Sequence, residues 1–341
     1  MPVRIALDAM GGDFAPGNEV AGALLAKTMV PPDVEIILVG DEARLYPLVA
    51  EAGHPDRISI VHAPDVVTMR DEPSSIVKQR KESSLYVGID LMREGKADAF
   101  VSGGNTGAVM ATATMMCGRI PGVSRPTIGS FLPSRGGRPS LLVDIGANVD
   151  SKARFLVDFA VMGEIYARLI QGIDNPRVAL LNVGEEETKG TEVVQEASAM
   201  LRARAMNYVG FCEGRDILSG KYDVIVCDGF EGNIVLKFAE SVLGFLKDKL
   251  KTYAKGSIFK SLAMAMFAPM LKSALKDMDY QEYGGVPLLG INGVVIIGHG
   301  SSSPKALANM IKRAVEVVDR DVNGHIRAAM AAPNKSSTEQ P

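Results

Sequence analysis

"ADAFVSGGNTGAVMATATMM", residues Ala97 to Met116, is the stretch that decides the fold class. An apolar run ends at Gly103 and Gly104, polar Asn105 and Thr106 follow, and after Gly107 a small-residue helical pattern begins. That order describes a strand end, a tight turn and a helix start, where backbone N–H groups gather around an anion or a developing oxyanion. No Lys follows the glycines, so the loop is not the nucleotide P-loop. Gly103 and Gly104 permit close approach of a ligand. Asn105 and Thr106 add side-chain donors, and Thr106 is expected to cap a helix starting near Gly107.

The same grammar recurs along the chain. Short apolar runs lie at 3–9, 35–40, 58–63, 126–133, 140–147, 178–184, 208–214, 222–229 and 292–300. Many are β-branched on both faces and end in Gly, Asp or Ser, as strands do when helices cover both sides of their sheet. The expected fold is α/β with a mostly parallel sheet and its site at the strand C-termini. No repeat or linker divides the chain. Two interleaved lobes are expected, one containing the N-terminal strand and the other built from the middle of the chain.

Composition removes several classes of function. The chain has 341 residues, 47% of them hydrophobic, and a formal net charge of −3. It can bury a large core, and its near-neutral balance leaves no footprint for nucleic acid. The three cysteines lack CxxC spacing and the four histidines lack HxxxH spacing, so neither a disulfide framework nor a metal site is expected. No long apolar leader precedes the first strand, and no run is long enough to span a bilayer, so a cytoplasmic protein is expected. Residues 331–341 read as a disordered tail.

Polar residues that a core does not need mark the candidate site. Asp8 ends the first strand, with Gly11, Gly12 and Asp13 after it; an Asp-capped turn is the plain alternative. Asp144 and Asn148 flank Gly146. Glu185, Glu186 and Glu187 read as a solvated helix start, whereas Lys189, before Gly190 and Thr191, reads as a site residue. Asp228 and Gly229 close another strand, and Gly232 with Asn233 opens a helix. Near the C-terminus His299 stands between Gly298 and Gly300, and Ser301, Ser302 and Ser303 precede Pro304 at a helix start. His299 is the one group in the set that ordinarily titrates near neutral pH. "GHGSSS" approaches the dinucleotide fingerprint, but no clear strand follows it to complete a βαβ unit, so a nicotinamide dehydrogenase is the lesser alternative. A non-catalytic binder of phosphate or of an acyl carrier is the other.

Taken in order, "ALDAMGGDFAPG", "DAFVSGGNTGA", "VDIGAN", "NVGEEETKG", "DGFEGNIVLK" and "GGVPLLGINGVVIIGHGSS" resemble the PlsX family, the phosphate acyltransferases of bacterial phospholipid synthesis. The likeness runs from about Arg4 to Asp321. It implies a three-layer α/β/α fold of two interleaved lobes with a cleft between them, similar to phosphotransacetylases and isocitrate dehydrogenase-like enzymes. The whole of 1–330 then forms one acyltransferase unit. The implied reaction joins inorganic phosphate to the acyl group of an acyl-carrier-protein thioester, with no cofactor and in a homodimer. Together with the strand-end reading above, the residues expected to be catalytic are His299, Lys189, Asn233 and Asp228. Substrate contacts fall on Asp8, Gly11, Gly12, Gly103, Gly104, Asn105, Thr106, Gly107, Asn148, Gly300, Ser301 and Ser302. The phosphotransacetylases carry catalytic Ser and Arg at the turn where this chain has His299 and Gly300, so those roles do not transfer.

Residues 245–279 differ from the rest and read as a helical insertion. Lys247, Lys249, Lys251, Lys255 and Lys260 precede an interrupted apolar run, with Ile258, Leu262 and Met266 on one helical face. Phe259, Met264, Phe267 and Met270 add apolar surface, and Pro269 is expected to divide two helices. A core hairpin or dimer interface is one reading. The other is a protruding amphipathic pair in which Lys255, Ile258, Phe259, Leu262, Met266 and Phe267 meet the inner face of the cell membrane or the acidic carrier protein.

Overall fold

The computed structural model describes residues 2–257, 259, 260, 262, 264, 266, 267, 269, 270 and 283–331. Ile258 and the tail from 332 onwards lie outside the described residues. In chain order the elements are β1 (Arg4–Asp8), α1 (Gly17–Ala26), β2 (Glu35–Gly40), α2 (Glu42–Glu51), β3 (Ile58–His62), α3 (Ile76–Gln79), α4 (Ser84–Arg93), β4 (Ala99–Ser102) and α5 (Thr106–Cys117). Then come β5 (Thr127–Leu132), β6 (Ser140–Val143), α6 (Ala153–Gln171), β7 (Val178–Asn182), α7 (Glu192–Arg202), β8 (Tyr208–Glu213), β9 (Val224–Val226) and α8 (Gly229–Lys255). After the partly described segment follow β10 (Val286–Leu289), β11 (Val295–Ile297), α9 (Pro304–Asp319) and α10 (Val322–Ala331).

The strands form one sheet in the order β3-β2-β1-β4-β11-β10-β5-β6-β9-β7-β8. β3, β2, β1, β4 and β11 run parallel to one another. So do β6, β9, β7 and β8. Three antiparallel pairings at the centre, β11 with β10, β10 with β5 and β5 with β6, reverse the second half relative to the first. The first half is discontinuous in sequence, because β11 returns beside β4 after the middle of the chain has built the second.

Alternation along β1 sends Ile5 and Leu7 into one apolar layer and Ala6 into the other. The first layer carries α1, α6, α9 and α10, whose Val20, Phe159, Tyr166, Leu307 and Ile326 are buried. The second carries α4 and α5 through Leu85, Ile89 and Val109, packed on Phe100. Helices therefore lie on both faces of a mostly parallel sheet, and the strands between them read as near-continuous apolar runs for that reason. All ten expected runs contain strands. β10 was not among them: Pro287 lies inside it and removes a ladder donor, which argues against a strand.

The insertion begins differently from expectation. Lys247 to Lys255 are not a new element but the last turns of α8, which runs unbroken from Gly229. The described residues from 259 to 270 are helical, Pro269 included. The second helix of the expected pair, after Pro269, falls almost wholly outside the described residues. Among the described residues no helix is long and apolar enough to cross a membrane.

Candidate active site

Three strand-end loops of the first half meet at one point: the turn after β1, the turn after β4 and the turn between β11 and α9. Asp8, 1% exposed, anchors them. Its Oδ1 accepts from Ser84 Oγ at 2.6 Å and from the Met10 N–H at 3.2 Å, and its Oδ2 accepts from Ser102 Oγ at 2.8 Å. Ser102 Oγ in turn accepts from the Gly104 N–H at 3.0 Å. Burial raises the Asp8 carboxyl above its ordinary range, and these donors oppose that. The backbones approach so closely that a Cβ on Gly104 would stand 3.2 Å from the Gly11 carbonyl oxygen, and one on Gly11 would overlap Asp8 Oδ2.

The loop at Gly103–Gly107 is built somewhat differently from expectation. Asn105, not Thr106, caps α5: its Oδ1 accepts from the Ala108 N–H at 3.1 Å, and the helix begins at Thr106. The Gly104 N–H is committed to Ser102. First-turn N–H groups at Thr106 and Gly107 have no intrahelical acceptor and are the anion donors that this loop offers.

The third loop is tied to the first by the Asp13 N–H, which donates to the Gly300 carbonyl at 2.8 Å. Its hydroxyls are not free in the way the sequence suggests. Ser302 Oγ donates to the His299 carbonyl at 2.6 Å, Ser303 caps α9, and Ser301 Oγ lies 2.8 Å from His299 Nδ1. The Ser301 N–H donates to that same Nδ1 at 3.2 Å. A nitrogen that accepts carries no proton, so the neutral ring holds its proton on Nε2.

A cavity of about 520 Å³ opens beside these loops. Gly104, Thr106, His299, Gly300 and Ser302 form its polar end, with Asp13. Its wall is apolar and comes from both halves of the sheet: Ile128 on β5, Ile145 after β6, Leu236 on α8, Val286 on β10, Ile297 on β11 and Met310 on α9. Asn233, Lys237 and Glu240 line it from α8. A mostly apolar cavity with a few convergent polar groups is the usual form of a small-molecule site.

The remaining expected residues are placed elsewhere. Asp228 caps α8, its Oδ1 accepting from the Phe230 N–H at 2.8 Å and its Oδ2 from the Ser151 N–H at 2.9 Å. Each oxygen thus accepts one backbone N–H. Asn148 donates through Nδ2 to the Pro126 carbonyl and to Asp144 Oδ2, so it locks the turn after β6. Asp144, fully buried, also accepts from the N–H groups of Gly146, Ala147 and Asn148, and burial raises its carboxyl. Lys189 is exposed and does not line the cavity; its loop borders a second cleft of about 570 Å³ at the ends of β7 and β8. Phe259, Leu262, Met266 and Phe267 are exposed, as is Lys255, well away in sequence from the loops described.

Sequence reading missed the apolar wall and two charged groups at it. Lys237 ends the quoted "DGFEGNIVLK" motif, and that was the available signal. It also missed Glu19, in the first turn of α1 and 2% exposed, for which the sequence carries no pattern.

Comparison with known proteins agrees over nearly the whole chain. The family model described as "Fatty acid synthesis protein" matches residues 3–325. A phosphate acyltransferase of Heliobacterium modesticaldum is 48% identical over 322 residues, covering 94% of this chain and 95% of its own. One of Halothermothrix orenii is 44% identical over 328 residues, covering 95% and 98%. In structure the chain is similar to the EutD phosphotransacetylase from Staphylococcus aureus, with TM-score 0.60, 20% identity and 94% of each chain covered. It is also similar to a phosphotransacetylase from Streptococcus pyogenes, with TM-score 0.61, 17% identity and 95% and 94% covered. At those identities the structural likeness concerns the fold.

Proposed function

The chain belongs to the fatty acid synthesis protein family of phosphate acyltransferases, and from that premise we propose that its cavity is where an acyl-carrier-protein thioester meets inorganic phosphate. The observation that carries this reading is the cavity's two-part character. An apolar chamber suited to an acyl chain leads to a polar end of helix-start N–H groups and His299. The thioester carbonyl then lies at the junction, with phosphate against Thr106, Gly107 and Gly300.

The chemistry asks little of acid–base groups. A phosphate oxygen attacks the carbonyl carbon, the new C–O bond forms, and the C–S bond breaks. The proton carried by the phosphate ends on the sulfur, giving acyl phosphate and free carrier thiol. A thiol of pKa roughly 8.5 is a tolerable leaving group near neutrality. Holding the two reactants together and stabilising the oxyanion supply most of the acceleration. His299, with its proton on Nε2, donates to the phosphate or to the departing sulfur. Asn233 and Lys237 face the same space from α8; Asp8, Gly11, Gly12, Gly103 and Asn105 hold the loops in register. Asp228, Asn148 and Lys189 take supporting parts outside it.

The finer features are part of the same proposal. The exposed apolar stripe on α8 supports a homodimer, and the exposed Leu262, Met266 and Phe267 support peripheral contact with a membrane surface. The test is mass-spectrometric detection of acyl phosphate formed from acyl carrier protein thioester and phosphate. His299→Ala is expected to lower kcat about 10²-fold or more. Wild-type protein that forms no acyl phosphate refutes the assignment, and unchanged kcat in His299→Ala removes the histidine from the reaction.

A further inference from the structure

Behind the meeting point of the first and third loops lies an acid that the reaction scheme above does not use. Glu19 is buried in the first turn of α1, and its Oε2 has no hydrogen-bond partner among the described residues. Its Oε1 is pressed against Gly12, where a Cβ would overlap it. The same hypothetical Cβ would stand 3.4 Å from the Gly300 carbonyl oxygen. Its neighbour Asn18 donates through Nδ2 to the Ser302 carbonyl at 3.0 Å. One turn of α1 therefore braces two of the three loops that carry the polar end of the cavity. Resting on the reading of that end as the phosphate site, we propose that Glu19 is a positioning residue for the attacking phosphate: neutral, it seats Gly12 against the His299 loop, and ionised, it disfavours the incoming anion.

The charge surroundings support this. Burial, with Asp8 and Asp13 adding like charge, pushes Glu19 up to about 7, against partial relief from the N–H groups of Glu19 itself and Gly12. Asp8 faces it from β1 and Asp13 from the first loop. The elements packed round α1 also bear His299 before α9, Lys305 in the first turn of α9, and Arg44 on α2, whose guanidinium donates to the Ala15 carbonyl at 3.2 Å. Asp8 and Asp13 are the charges that weigh most on Glu19, and both oppose its ionisation. A dianion bound on the other side of Gly12 meets one more negative charge whenever Glu19 has lost its proton.

Phosphate titrates in the same range, so the test uses sulfate, a dianion throughout, with binding measured by calorimetry between about pH 6 and 8.5. Wild-type affinity is expected to fall by up to about tenfold for each pH unit above about 7. Glu19→Gln is expected to flatten that fall, and Glu19→Asp to keep it. Parallel profiles for wild type and Glu19→Gln overturn the inference alone. Absence of both sulfate and phosphate binding at every pH overturns the reading of the anion site, and the inference with it. Should Glu19→Gln not fold, His299→Ala decides: affinity that still falls above about pH 7 supports the role, and a flat profile overturns it.

Discussion

Asp8 and Glu19 are both carboxylic acids buried near the same turn, yet they differ in how they are satisfied. Asp8 accepts from two hydroxyls and a backbone N–H, whereas Glu19 leaves one oxygen bare. An unsatisfied buried polar atom costs stability, and the cost is larger when the group is charged. For Glu19 the folded protein holds the proton more tightly than the unfolded chain does, so stability falls as pH climbs from the ordinary carboxyl range to about 7. The interval from 4.5 to about 7 corresponds to roughly 3 kcal/mol. Urea unfolding at about pH 5 and 8 should show wild type losing most of that, about 2.5 kcal/mol, beyond the loss of Glu19→Gln over the same interval. Equal losses would place Glu19 in a polar setting in both states. Glu19 also shows the limit of reading residues from sequence. Gly103, Gly104 and His299 announce themselves because glycine and histidine at strand ends have few structural excuses. A glutamate in the first turn of a helix is ordinary, and only the folded contact of this one with the turn at Gly12 marks it out.

Among the elements, α8 carries the most unusual face. Phe230, Ile234, Phe238, Val242 and Phe245 recur at helical spacing and are all exposed, Phe238 by 67%. The opposite side gives Asn233, Leu236, Lys237 and Glu240 to the cavity. The sequence suggests a helix opening at Gly232 and Asn233 and a separate lysine-rich insertion from residue 245, whereas one helix capped by Asp228 runs through both. No Gly, Pro or cap stands between them strongly enough to end the helix, and Gly244 is tolerated within it. An apolar stripe of that length on a helix that also walls the active site suits pairing with a second copy. Exposed Leu262, Met266 and Phe267 lie beyond the helix end and suit a lipid surface. The two roles separate by mutation. Phe238→Glu should weaken self-association in analytical ultracentrifugation while leaving binding to anionic vesicles intact. Leu262→Glu should reduce vesicle co-sedimentation while leaving the association state intact. If each substitution impairs both properties, the two surfaces act as one.

Across the whole molecule, the antiparallel seam β11-β10-β5-β6 is what lets a single cavity draw on both halves of the sheet. Ile297 and Met310 come from the half that holds the phosphate loops, Ile145 and Leu236 from the half built by the middle of the chain, and Ile128 and Val286 from the seam itself. The seam was the part of the fold least legible in sequence, since β10 hides behind Pro287 while every parallel strand shows as an apolar run. On the proposed reading, chain length and chemistry fall to different residues: the loops take phosphate and the carbonyl, and the apolar wall takes the acyl chain. Ile145 is 4% exposed on that wall. Enlarging it to Trp is expected to take space from the chamber on the side built by the middle of the chain. Each methylene denied a buried place forfeits about 0.8 kcal/mol. Loss of roughly four methylenes of depth then lowers kcat/KM for a long acyl thioester by on the order of a hundredfold. A short-chain thioester, which needs less of the chamber, should keep its kcat/KM in the same variant. Assays of Ile145→Trp with carrier-protein thioesters of graded length measure this directly. A loss that is uniform across lengths would mean that the cavity wall serves the fold and that the acyl chain lies elsewhere.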